Sequence, residues 1–320
     1  MISAILGAPT SDPFSPSNAT VKLAALKRLL LSCTLMFMVA CGGGGRNAPT
    51  PTPPVAQPGF GHVVLLVEEN HSFSQVIGNS SMPYLNGLAS QYGLATQYYA
   101  DVHPSIGNYF MLTTGRLETS DDSFPGTITD DNLVRRIVDA GKSWKAYADG
   151  LPMAGYTGGD VYPYLKRHNP FAYLSDVVGN QSQAANLVPF SQFASDVASG
   201  NVPNFSYIVP GALNDAHDGS LTQADDWLQQ NLSPLLSSPL FQNDGLLIIT
   251  FDEADGSDST HGGGHVATIV VSSKAKRQFQ SQTLFQHESS LRLILGSLGI
   301  SSFPGASASA PDMNEFLTSQ

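Results

Sequence analysis

The stretch His62-Val-Val-Leu-Leu-Val-Glu-Glu-Asn70 is an apolar run that ends in two acids and an amide. Such a continuous run predicts a strand that is buried on both faces, as in a parallel sheet. A second stretch, Leu246-Leu-Ile-Ile-Thr-Phe-Asp-Glu253, repeats the pattern, with an acidic pair after the apolar run. The two runs predict central strands of one sheet, each followed by acids.

Segments of strand-like and helix-like pattern alternate along the rest of the chain. The predicted strands are 62–68, 143–148, 204–210, 246–251 and 266–272, and the predicted helices are 83–92, 106–114, 131–140, 222–232 and 287–298. The helix over 222–232 begins at Thr222-Gln-Ala-Asp225, which has capping-box spacing with Asp in place of Glu. The alternation predicts an α/β fold with a mostly parallel sheet, and sites in such folds lie beyond the carboxyl ends of the strands.

The run His103-Pro-Ser-Ile-Gly-Asn-Tyr-Phe-Met-Leu-Thr-Thr-Gly115 offers a candidate nucleophile, Ser105. Pro104 restricts the backbone before it, Ser105 is a favourable N-cap, and Gly115 is a favourable helix stop. A hydroxyl there lies beside free N–H groups and the positive end of the helix dipole, which suits an anionic nucleophile and a phosphate. A serine that only caps the helix explains the same run, and the acidic pairs favour the catalytic interpretation.

Glu68-Glu69-Asn70 and Asp252-Glu253 follow the two central strands. Because the ends of adjacent parallel strands converge, we expect these carboxylates to meet, and clustered carboxylates stay ionised only beside a cation. Carboxylate and amide oxygens suit Mg²⁺, Mn²⁺, Ca²⁺ or Zn²⁺. Acids that simply mark solvent-exposed strand ends are the alternative for either pair alone. Both pairs together with Ser105 favour a metal site.

Two histidines occur in polar, glycine-containing surroundings. His217 lies in Asn214-Asp-Ala-His-Asp218 after a predicted strand, where it suits phosphate binding or general-acid chemistry. His265 follows Gly262-Gly-Gly264 and precedes another strand. A hydrogen-bonded loop histidine is the alternative for each.

The N-terminal part of the chain has the pattern of an export signal. A basic segment from Val21 to Arg28 is followed by a short apolar segment that ends before Cys41, which resembles a bacterial lipoprotein signal with Cys41 as the lipid-anchored residue. A membrane anchor or an ordinary signal peptide is the alternative. The predicted organisation is an upstream extension and signal peptide over 1–41, a Gly/Pro/Thr-rich linker over 42–59 and one large domain over 60–320. The protein is therefore expected to be extracytoplasmic, as a membrane-anchored lipoprotein or in secreted or periplasmic form.

The charge balance excludes one class of partner. The formal net charge is -11, and the first 40 residues contain one acid and three bases, so the remainder is more acidic still. Nucleic-acid binding needs a basic face, so no nucleic-acid partner is expected, and no protein partner is predicted. Both cysteines, at 33 and 41, lie in the export signal, which leaves none for a disulfide or a thiolate site in the domain.

These residues together resemble the bacterial phosphoesterase family that includes extracytoplasmic acid phosphatases and phospholipases C, within the alkaline phosphatase superfamily. The resemblance runs from about residue 62 to 308. It rests on Glu69-Asn-His-Ser-Phe73, His103-Pro-Ser-Ile-Gly-Asn-Tyr109, Ser143-Trp-Lys-Ala-Tyr147, Arg167-His-Asn-Pro170, Asn214-Asp-Ala-His-Asp218, Asp226-Trp-Leu228, Thr250-Phe-Asp-Glu253 and His287-Glu-Ser-Ser-Leu-Arg292, in that order.

The resemblance implies a fold and a site. The fold is an alkaline-phosphatase-like three-layer αβα sandwich. One divalent metal ion is expected, with a second left open, because the chain has Glu-Asn and Asp-Glu where two-metal relatives use Asp and His. The implied metal ligands are Glu69, Asn70, Ser105, Asp252 and Glu253. The implied catalytic residues are Ser105 as nucleophile, Asn108 on a phosphate oxygen, and His168 and His217 as phosphate-stabilising or proton-donating groups, with His287 and His265 as weaker candidates.

The activity implied by the resemblance is metal-dependent hydrolysis of small phosphate esters through a phosphoserine on Ser105, as in an acid phosphatase. The chain ends soon after its last predicted helix, which favours the phosphatase branch. A phospholipase C or other phosphodiesterase that uses the same site is the first alternative. An inactive surface lipoprotein that only binds a ligand is the alternative of another class.

Overall fold

A computed structural model describes residues 58–318 of the chain. The predictions for the upstream extension, the signal peptide, Cys41 and most of the linker lie outside these residues. In residues 58–318, no helix combines the length and the apolar character that a membrane crossing needs.

An eight-stranded sheet forms the centre of the described domain. Its strands are β1 (His62–Glu68), β2 (Gly93–Ala95), β3 (Trp144–Ala148), β4 (Leu187–Pro189), β5 (Phe205–Val209), β6 (Gly245–Phe251), β7 (Thr268–Val271) and β8 (Phe279–Ser281). Their order across the sheet is β4-β3-β5-β1-β6-β7-β2-β8. Only β7 runs antiparallel to its neighbours, which are β6 and β2. The predicted α/β fold with a mostly parallel sheet is confirmed.

Ten α-helices accompany the sheet in the described residues. They are α1 (Phe73–Val76), α2 (Pro83–Gln91), α3 (Ser105–Thr114), α4 (Leu133–Asp139), α5 (Ser175–Val178), α6 (Gln181–Ala184), α7 (Ser191–Ser199), α8 (Leu221–Ser237), α9 (Pro239–Asp244) and α10 (His287–Ser297). Helices α3, α4 and α10 contact one another, and α2, α7, α8 and α9 form a second contacting group. This division is that of helix layers around a central sheet, as the three-layer prediction requires.

The apolar runs at the centre of the sheet behave as predicted. Strand β1 pairs in parallel with β5 on one side and β6 on the other, with Leu66 opposite both Ile208 and Ile249. Every residue of β6 is buried, and so is every residue of β1 except His62. Burial on both faces explains why these strands are continuous apolar runs instead of alternating ones.

Helix α3 differs from the prediction at its first residue. Pro104 is the N-cap and Ser105 is the first helical residue, so Ser105 does not cap the helix with its side chain. The proline provides no side-chain cap, and the Asp122 carboxylate instead accepts the N–H of Ile106 at 3.1 Å. Gly115 ends the helix as predicted, in a left-handed conformation with φ of 65°. All ten residues of α3 are buried, which holds the serine in a fixed position.

The capping box expected at 222–225 is wrong. Ser220 is the N-cap of α8 and accepts the N–H of Gln223 at 3.2 Å. The Asp225 carboxylate instead accepts the backbone N–H groups of Tyr84 and Leu85, each at 2.8 Å, and so caps α2. Asp225 therefore joins two helices that are distant in sequence.

Candidate active site

The two acidic pairs meet at the carboxyl ends of β1 and β6. The backbone N–H of Asp252 donates to the Glu68 carbonyl at 2.9 Å, which continues the ladder one residue beyond β6. The backbone N–H of Asn70 donates to Asp252 Oδ1 at 3.0 Å. Asn70 has φ of 56°, a left-handed conformation that Asn tolerates better than most residues, and this turn directs its N–H to the aspartate. The predicted convergence of the two strand ends is present.

Ser105 lies between carboxylates from both strand ends. Its Oγ is 3.2 Å from Glu69 Oε2 and 3.3 Å from Glu253 Oε1, and the side chain is buried. Helix α3 presents the hydroxyl there because its first residue faces the edge of the sheet where β1 and β6 end. The structure thus joins the predicted nucleophile to both halves of the predicted ligand set.

A second oxygen of Glu69 faces a different group of residues. Tyr109, one turn after Ser105 on α3, donates its hydroxyl to Glu69 Oε1. His168 Nε2 is 3.2 Å from the same oxygen, and His168 Nδ1 is 3.0 Å from Asp215 Oδ2. The tyrosine, the histidine and the aspartate are all buried, so Glu69 and the imidazole are held in place from several sides.

His217 lies at the more open side of this group. Its Nδ1 is 2.8 Å from Asp218 Oδ1, and its ring centre is 5.5 Å from that of His168. One ligand atom each of Glu69, His168 and His217 lies within 4.8 Å of the others, a spacing that can accommodate a metal ion. The two histidines that the sequence assigns to phosphate therefore also offer a nitrogen-containing ligand set beside the oxygen set.

Asn108 has surroundings different from those expected. Its Oδ1 accepts the N–H groups of Asp101 and Val102 at 2.9 and 3.2 Å, and its Nδ2 donates to the Val102 carbonyl at 2.7 Å. The side chain is fully buried. These contacts fix the segment that leads into α3, and the predicted contact of Asn108 with phosphate stays a prediction.

Histidines 103 and 287 hold the second acidic pair. His103 Nδ1 is 2.9 Å from Glu253 Oε2, and its Nε2 is 3.0 Å from the Asp258 carbonyl. His287 Nε2 is 2.6 Å from the Asp252 carbonyl, and its Nδ1 is 3.2 Å from the Tyr98 hydroxyl. The carbonyl can only accept, so the proton of His287 is on Nε2. His103 therefore contacts the Glu253 carboxylate, and His287 contacts the backbone of Asp252.

His265 lies among other aromatic groups. Its Nε2 is 3.1 Å from the Thr96 carbonyl, and its ring stacks on Phe73 with centroids 4.4 Å apart. A histidine with a hydrogen-bonded, packed ring fits the loop alternative that the sequence left open.

Three residues of this site are absent from the predicted set: Tyr109, Asp215 and His103. Each occurs in a stretch that the sequence singles out, because His103 and Tyr109 lie in the run around Ser105 and Asp215 lies two residues before His217. Sequence analysis could have identified all three, because each is a polar residue within a few positions of a predicted catalytic residue.

The comparisons with known proteins identify the family of this chain. The profile of the Phosphoesterase family matches residues 79–301, more than half of the chain. This chain belongs to that phosphoesterase family. A phosphatidylinositol-3-phosphatase of Mycobacterium tuberculosis is 36% identical over 210 residues, which cover 63% of this chain and 66% of that protein. A probable acid phosphatase of Kluyveromyces lactis is 32% identical over 205 residues, which cover 61% of this chain and 48% of that protein.

The chain spans about half to two thirds of the length of these relatives.

Solved structures support the fold. An alkaline phosphatase superfamily protein from Vibrio parahaemolyticus aligns with a TM-score of 0.55 and 12% identity over 84% of this chain and 74% of that one. The lipoteichoic acid synthase LtaP of Listeria monocytogenes aligns with a TM-score of 0.56 and 10% identity over 83% of this chain and 77% of that one. The alkaline-phosphatase-like architecture predicted from the sequence is therefore confirmed.

The electrostatics of the phosphoesterase site favour a cation. Burial is the main cause that raises the pKa of Glu69 well above its usual value, and the neighbouring Asp252 adds to it. Burial, followed by the charge of Asp252, raises the pKa of Glu253 to about 9. A divalent cation among these oxygens reverses this direction, because it stabilises the ionised carboxylates.

Buried oxygen atoms without a hydrogen-bond partner also indicate a cation site. In residues 58–318, Asn70 Oδ1 and Asp252 Oδ2 are buried and accept no hydrogen bond, which is costly for polar oxygens unless a ligand contacts them. Both belong to the predicted ligand set, and the donor set of carboxylate, amide and hydroxyl oxygens suits a hard divalent ion. Glu68 is also buried, and neither of its carboxylate oxygens has a hydrogen-bond partner in the described residues. Burial raises the pKa of Glu68 well above its usual value.

Proposed function

We propose that this phosphoesterase hydrolyses phosphate monoesters of small alcohols, with Ser105 as the nucleophile and a phosphoserine as the intermediate. The observation that carries the proposal is the position of the Ser105 hydroxyl, which lies 3.2 Å from Glu69 Oε2 and 3.3 Å from Glu253 Oε1. Acidic groups from two distant parts of the chain converge on one buried hydroxyl. Membership of the family, and relatives named as phosphatases, support the same reaction class.

A divalent metal ion is part of this proposal. Glu69, Asn70, Ser105, Asp252 and Glu253 are the residues that would hold it, and Asn70 Oδ1 and Asp252 Oδ2 are the atoms that lack a partner without it. When bound, the ion supplies charge neutralisation for the phosphate and lowers the pKa of the serine hydroxyl. The residues do not distinguish among Mg²⁺, Mn²⁺, Ca²⁺ and Zn²⁺. A second ion at Glu69, His168 and His217 is the alternative use of these two histidines, and it would exclude His217 as a proton donor.

The protein residues supply the remaining chemistry. Ser105 loses its hydroxyl proton to solvent, and the resulting Oγ alkoxide forms a bond to phosphorus while the bond from phosphorus to the alcohol oxygen breaks. A proton reaches that alcohol oxygen from His217. Asp218, 2.8 Å from His217 Nδ1, stabilises the protonated ring before this transfer. Water then attacks the phosphoserine and releases inorganic phosphate. Helix α3 contributes through its buried, rigid position and the positive end of its dipole.

The test uses p-nitrophenyl phosphate with the wild-type protein, Ser105→Ala and the control Ser90→Ala, which changes an exposed serine on α2. We expect Ser105→Ala to lower kcat by on the order of a thousandfold or more, since it removes the nucleophile. Ser90→Ala should be unaffected. Acid quenching during turnover should trap phosphate on Ser105 in a peptide identified by mass spectrometry. More than a few per cent residual activity in Ser105→Ala contradicts the assignment.

Phosphodiester hydrolysis is the second candidate function, and 25% identity to a phospholipase C B of Mycobacterium tuberculosis over 52% of this chain supports it. Turnover of phosphatidylcholine beside p-nitrophenyl phosphate separates the two, because a phosphomonoesterase should hydrolyse only the latter efficiently. A ligand-binding lipoprotein without activity should hydrolyse neither and contain no metal by elemental analysis.

We also propose that the protein is exported and held at the membrane surface through Cys41, or released by cleavage near that residue. The basic and apolar segments before Cys41 support this proposal. The intact mass of the chain purified from its native host tests it. A chain that keeps residues 21–40 contradicts cleavage.

A further inference from the structure

The segment 273–278 is basic, although the chain as a whole has a net charge of -11. This basic segment contains three of the 15 lysines and arginines of the chain. Lys276 and Arg277 are exposed and form no ion pair with any residue of 58–318. Their cationic groups lie over the rings of Phe279 and Tyr92, at 4.8 and 4.1 Å from the ring centroids. Two positive charges are therefore available to an anionic surface.

The basic segment connects β7 to β8 at the edge of the sheet where the parallel strands begin. Gly93, the first residue of β2, pairs with Val270 near the end of β7 and with Phe279, the first residue of β8. From this segment, Lys274 Nζ donates to the carbonyl of Gly59 at 2.8 Å, just before β1 begins. The basic segment therefore borders the point at which the N-terminal part of the chain joins the domain.

The candidate active site lies at the opposite edge of the sheet. Glu69 and Asp252 directly follow the carboxyl ends of β1 and β6. Strand β1 has 7 residues, and at about 3.3 Å for each residue it spans about 23 Å. The domain therefore has the chain entry and the basic segment at one edge and the site at the other.

The two edges differ in charge. At the edge with the basic segment, Lys274 Nζ is 2.6 Å from Asp244 Oδ1, which leaves Lys276 and Arg277 in excess. At the edge with the site, Arg167 is matched by two aspartates, at 3.4 and 3.9 Å. The loops there also carry three further acids that are not buried: Asp218, Asp255 and Asp258.

The proposed lipid anchor keeps the domain close to a membrane. Residues 42–58 join Cys41 to the domain, and they can span at most about 60 Å when fully extended. A covalent link of this length raises the concentration of the domain at the lipid surface but permits many orientations. Anionic lipid headgroups favour contact with each exposed Lys or Arg by about fivefold, and they repel exposed carboxylates. The charge difference between the two edges therefore selects the orientation.

From this arrangement we propose that the basic segment contacts anionic lipid headgroups of the membrane that holds Cys41, so that the edge with Ser105 faces the aqueous side. The inference rests on the proposed function, because it uses the proposed anchor at Cys41. It goes further by naming a lipid-binding surface and by restricting the substrates. With the site about 20 Å from the lipid, dissolved phosphate esters reach Ser105, whereas esters embedded in the same membrane do not.

The experiment measures which edge of the anchored domain lies near the lipid. The chain is purified with its anchor from the membranes of its host and placed in vesicles of phosphatidylcholine, alone or with about 30% phosphatidylglycerol. Because Cys33 and Cys41 both precede the domain, Ser273→Cys and Ser259→Cys each add one labelling site to it. Both serines are exposed, the first in the basic segment and the second on the loop after β6. Quenching of a fluorescent label by nitroxide-bearing lipid reports its distance from the membrane.

We expect the label at Ser273→Cys to be quenched at least about fivefold more than that at Ser259→Cys in vesicles with phosphatidylglycerol, because two charges favour this orientation by about 25-fold. The difference should largely disappear in about 0.5 M salt and in vesicles of phosphatidylcholine alone. It should also disappear when Lys276→Gln and Arg277→Gln are combined. The control, Lys276→Arg with Arg277→Lys, keeps both charges and should retain the difference. Unchanged hydrolysis of p-nitrophenyl phosphate verifies that these variants fold.

Three results overturn the inference: equal quenching of the two labels, stronger quenching at Ser259→Cys, and a difference that survives the loss of both charges. Failure of the proposed anchor looks different, since the wild type would then not float with phosphatidylcholine vesicles in a density gradient, and both proposals would fall. Failure of the proposed reaction would appear as no hydrolysis of p-nitrophenyl phosphate, whatever the pattern of quenching.

Discussion

Replacement of His287 by leucine tests whether this buried ring positions Asp252 in the site. The ring is fully buried, its Nε2 is 2.6 Å from the Asp252 carbonyl, and its Nδ1 is 3.2 Å from the Tyr98 hydroxyl. Leucine keeps much of the volume but provides no polar atom. The Asp252 carbonyl then loses the imidazole donor, whereas Tyr98 keeps a partner in Ser290, 2.7 Å away.

The magnitude follows from these contacts. A buried carbonyl left without its donor costs about 1–3 kcal/mol, and imperfect packing of leucine adds to this, so we expect a loss of about 2–4 kcal/mol in the free energy of unfolding. For a domain of this size the melting temperature should fall by about 5–15 °C. Because Asp252 is a proposed metal ligand, its displacement should also weaken metal binding by about 10–100-fold.

The assay combines urea unfolding with titration of Mn²⁺ into metal-free protein. His287→Gln is the conservative variant, because its amide N–H can still reach the Asp252 carbonyl, and it should lose about half as much stability as His287→Leu. His62→Leu is the control. His62 Nδ1 also faces a backbone carbonyl, that of Pro203 at 3.0 Å, but the residue is half-buried and water can replace it.

The reasoning predicts an order: His287→Leu is the most damaging, His287→Gln is intermediate, and His62→Leu changes the free energy of unfolding by less than about 1 kcal/mol. It is refuted if His287→Leu matches His62→Leu in stability and binds Mn²⁺ as tightly as the wild type. A loss of stability with unchanged metal affinity refutes the link between the ring and the position of Asp252.

Two further predictions concern residues away from the site. Gly115→Ala should destabilise the protein by at least about 3 kcal/mol in urea unfolding, because φ is 65° and the added Cβ would lie 2.6 Å from the Pro304 carbonyl oxygen. The control Gly141→Ala, with φ of 68° and no atom within 4 Å of the added Cβ, should cost only about 1 kcal/mol, and equal losses in the two variants would contradict the role of the close approach. Burial raises the pKa of Asp176, but its hydrogen bonds, that from Arg135 first, outweigh burial and leave the pKa below its usual value. The contribution of the Asp176 carboxylate to stability is complete above the unfolded-state pKa of about 3.9 and is lost as pH falls through the lower folded-state pKa. The difference in unfolding free energy between wild type and Asp176→Asn should therefore shrink below about pH 4, and a difference that stays constant with pH would contradict this role of Asp176.

The sequence predicted the centre of the fold because its signals there are local. The apolar runs that became β1 and β6 are buried on both faces, and the acids after them are next to the strands that position them. The same reasoning found Ser105, since Pro104 and Gly115 mark the two ends of its helix. Short strands such as β2 and β4, with three residues each, have no comparable pattern and were not predicted.

Long-range contacts decided what the sequence did not reveal. Asp225 has the spacing of a cap for its own helix, yet its carboxylate binds N–H groups at the start of α2, about 140 residues earlier. Asp215 supports His168 across 47 residues, and His103 supports Glu253 across 150. No local pattern specifies such partners, because they depend on which strands lie side by side.

The pairing of β1 with β6 also affects when the protein can acquire the proposed metal ion. Asn70 and Asp252 touch although 182 residues separate them in sequence, and β6 is the strand that brings the second of them to the first. A chain still being synthesised, or a fragment that stops before β6, has three of the five proposed ligands, Glu69, Asn70 and Ser105, and lacks Asp252 and Glu253. Under the proposed function, loading with the cation is therefore a late event in maturation, which must follow completion of nearly the whole domain.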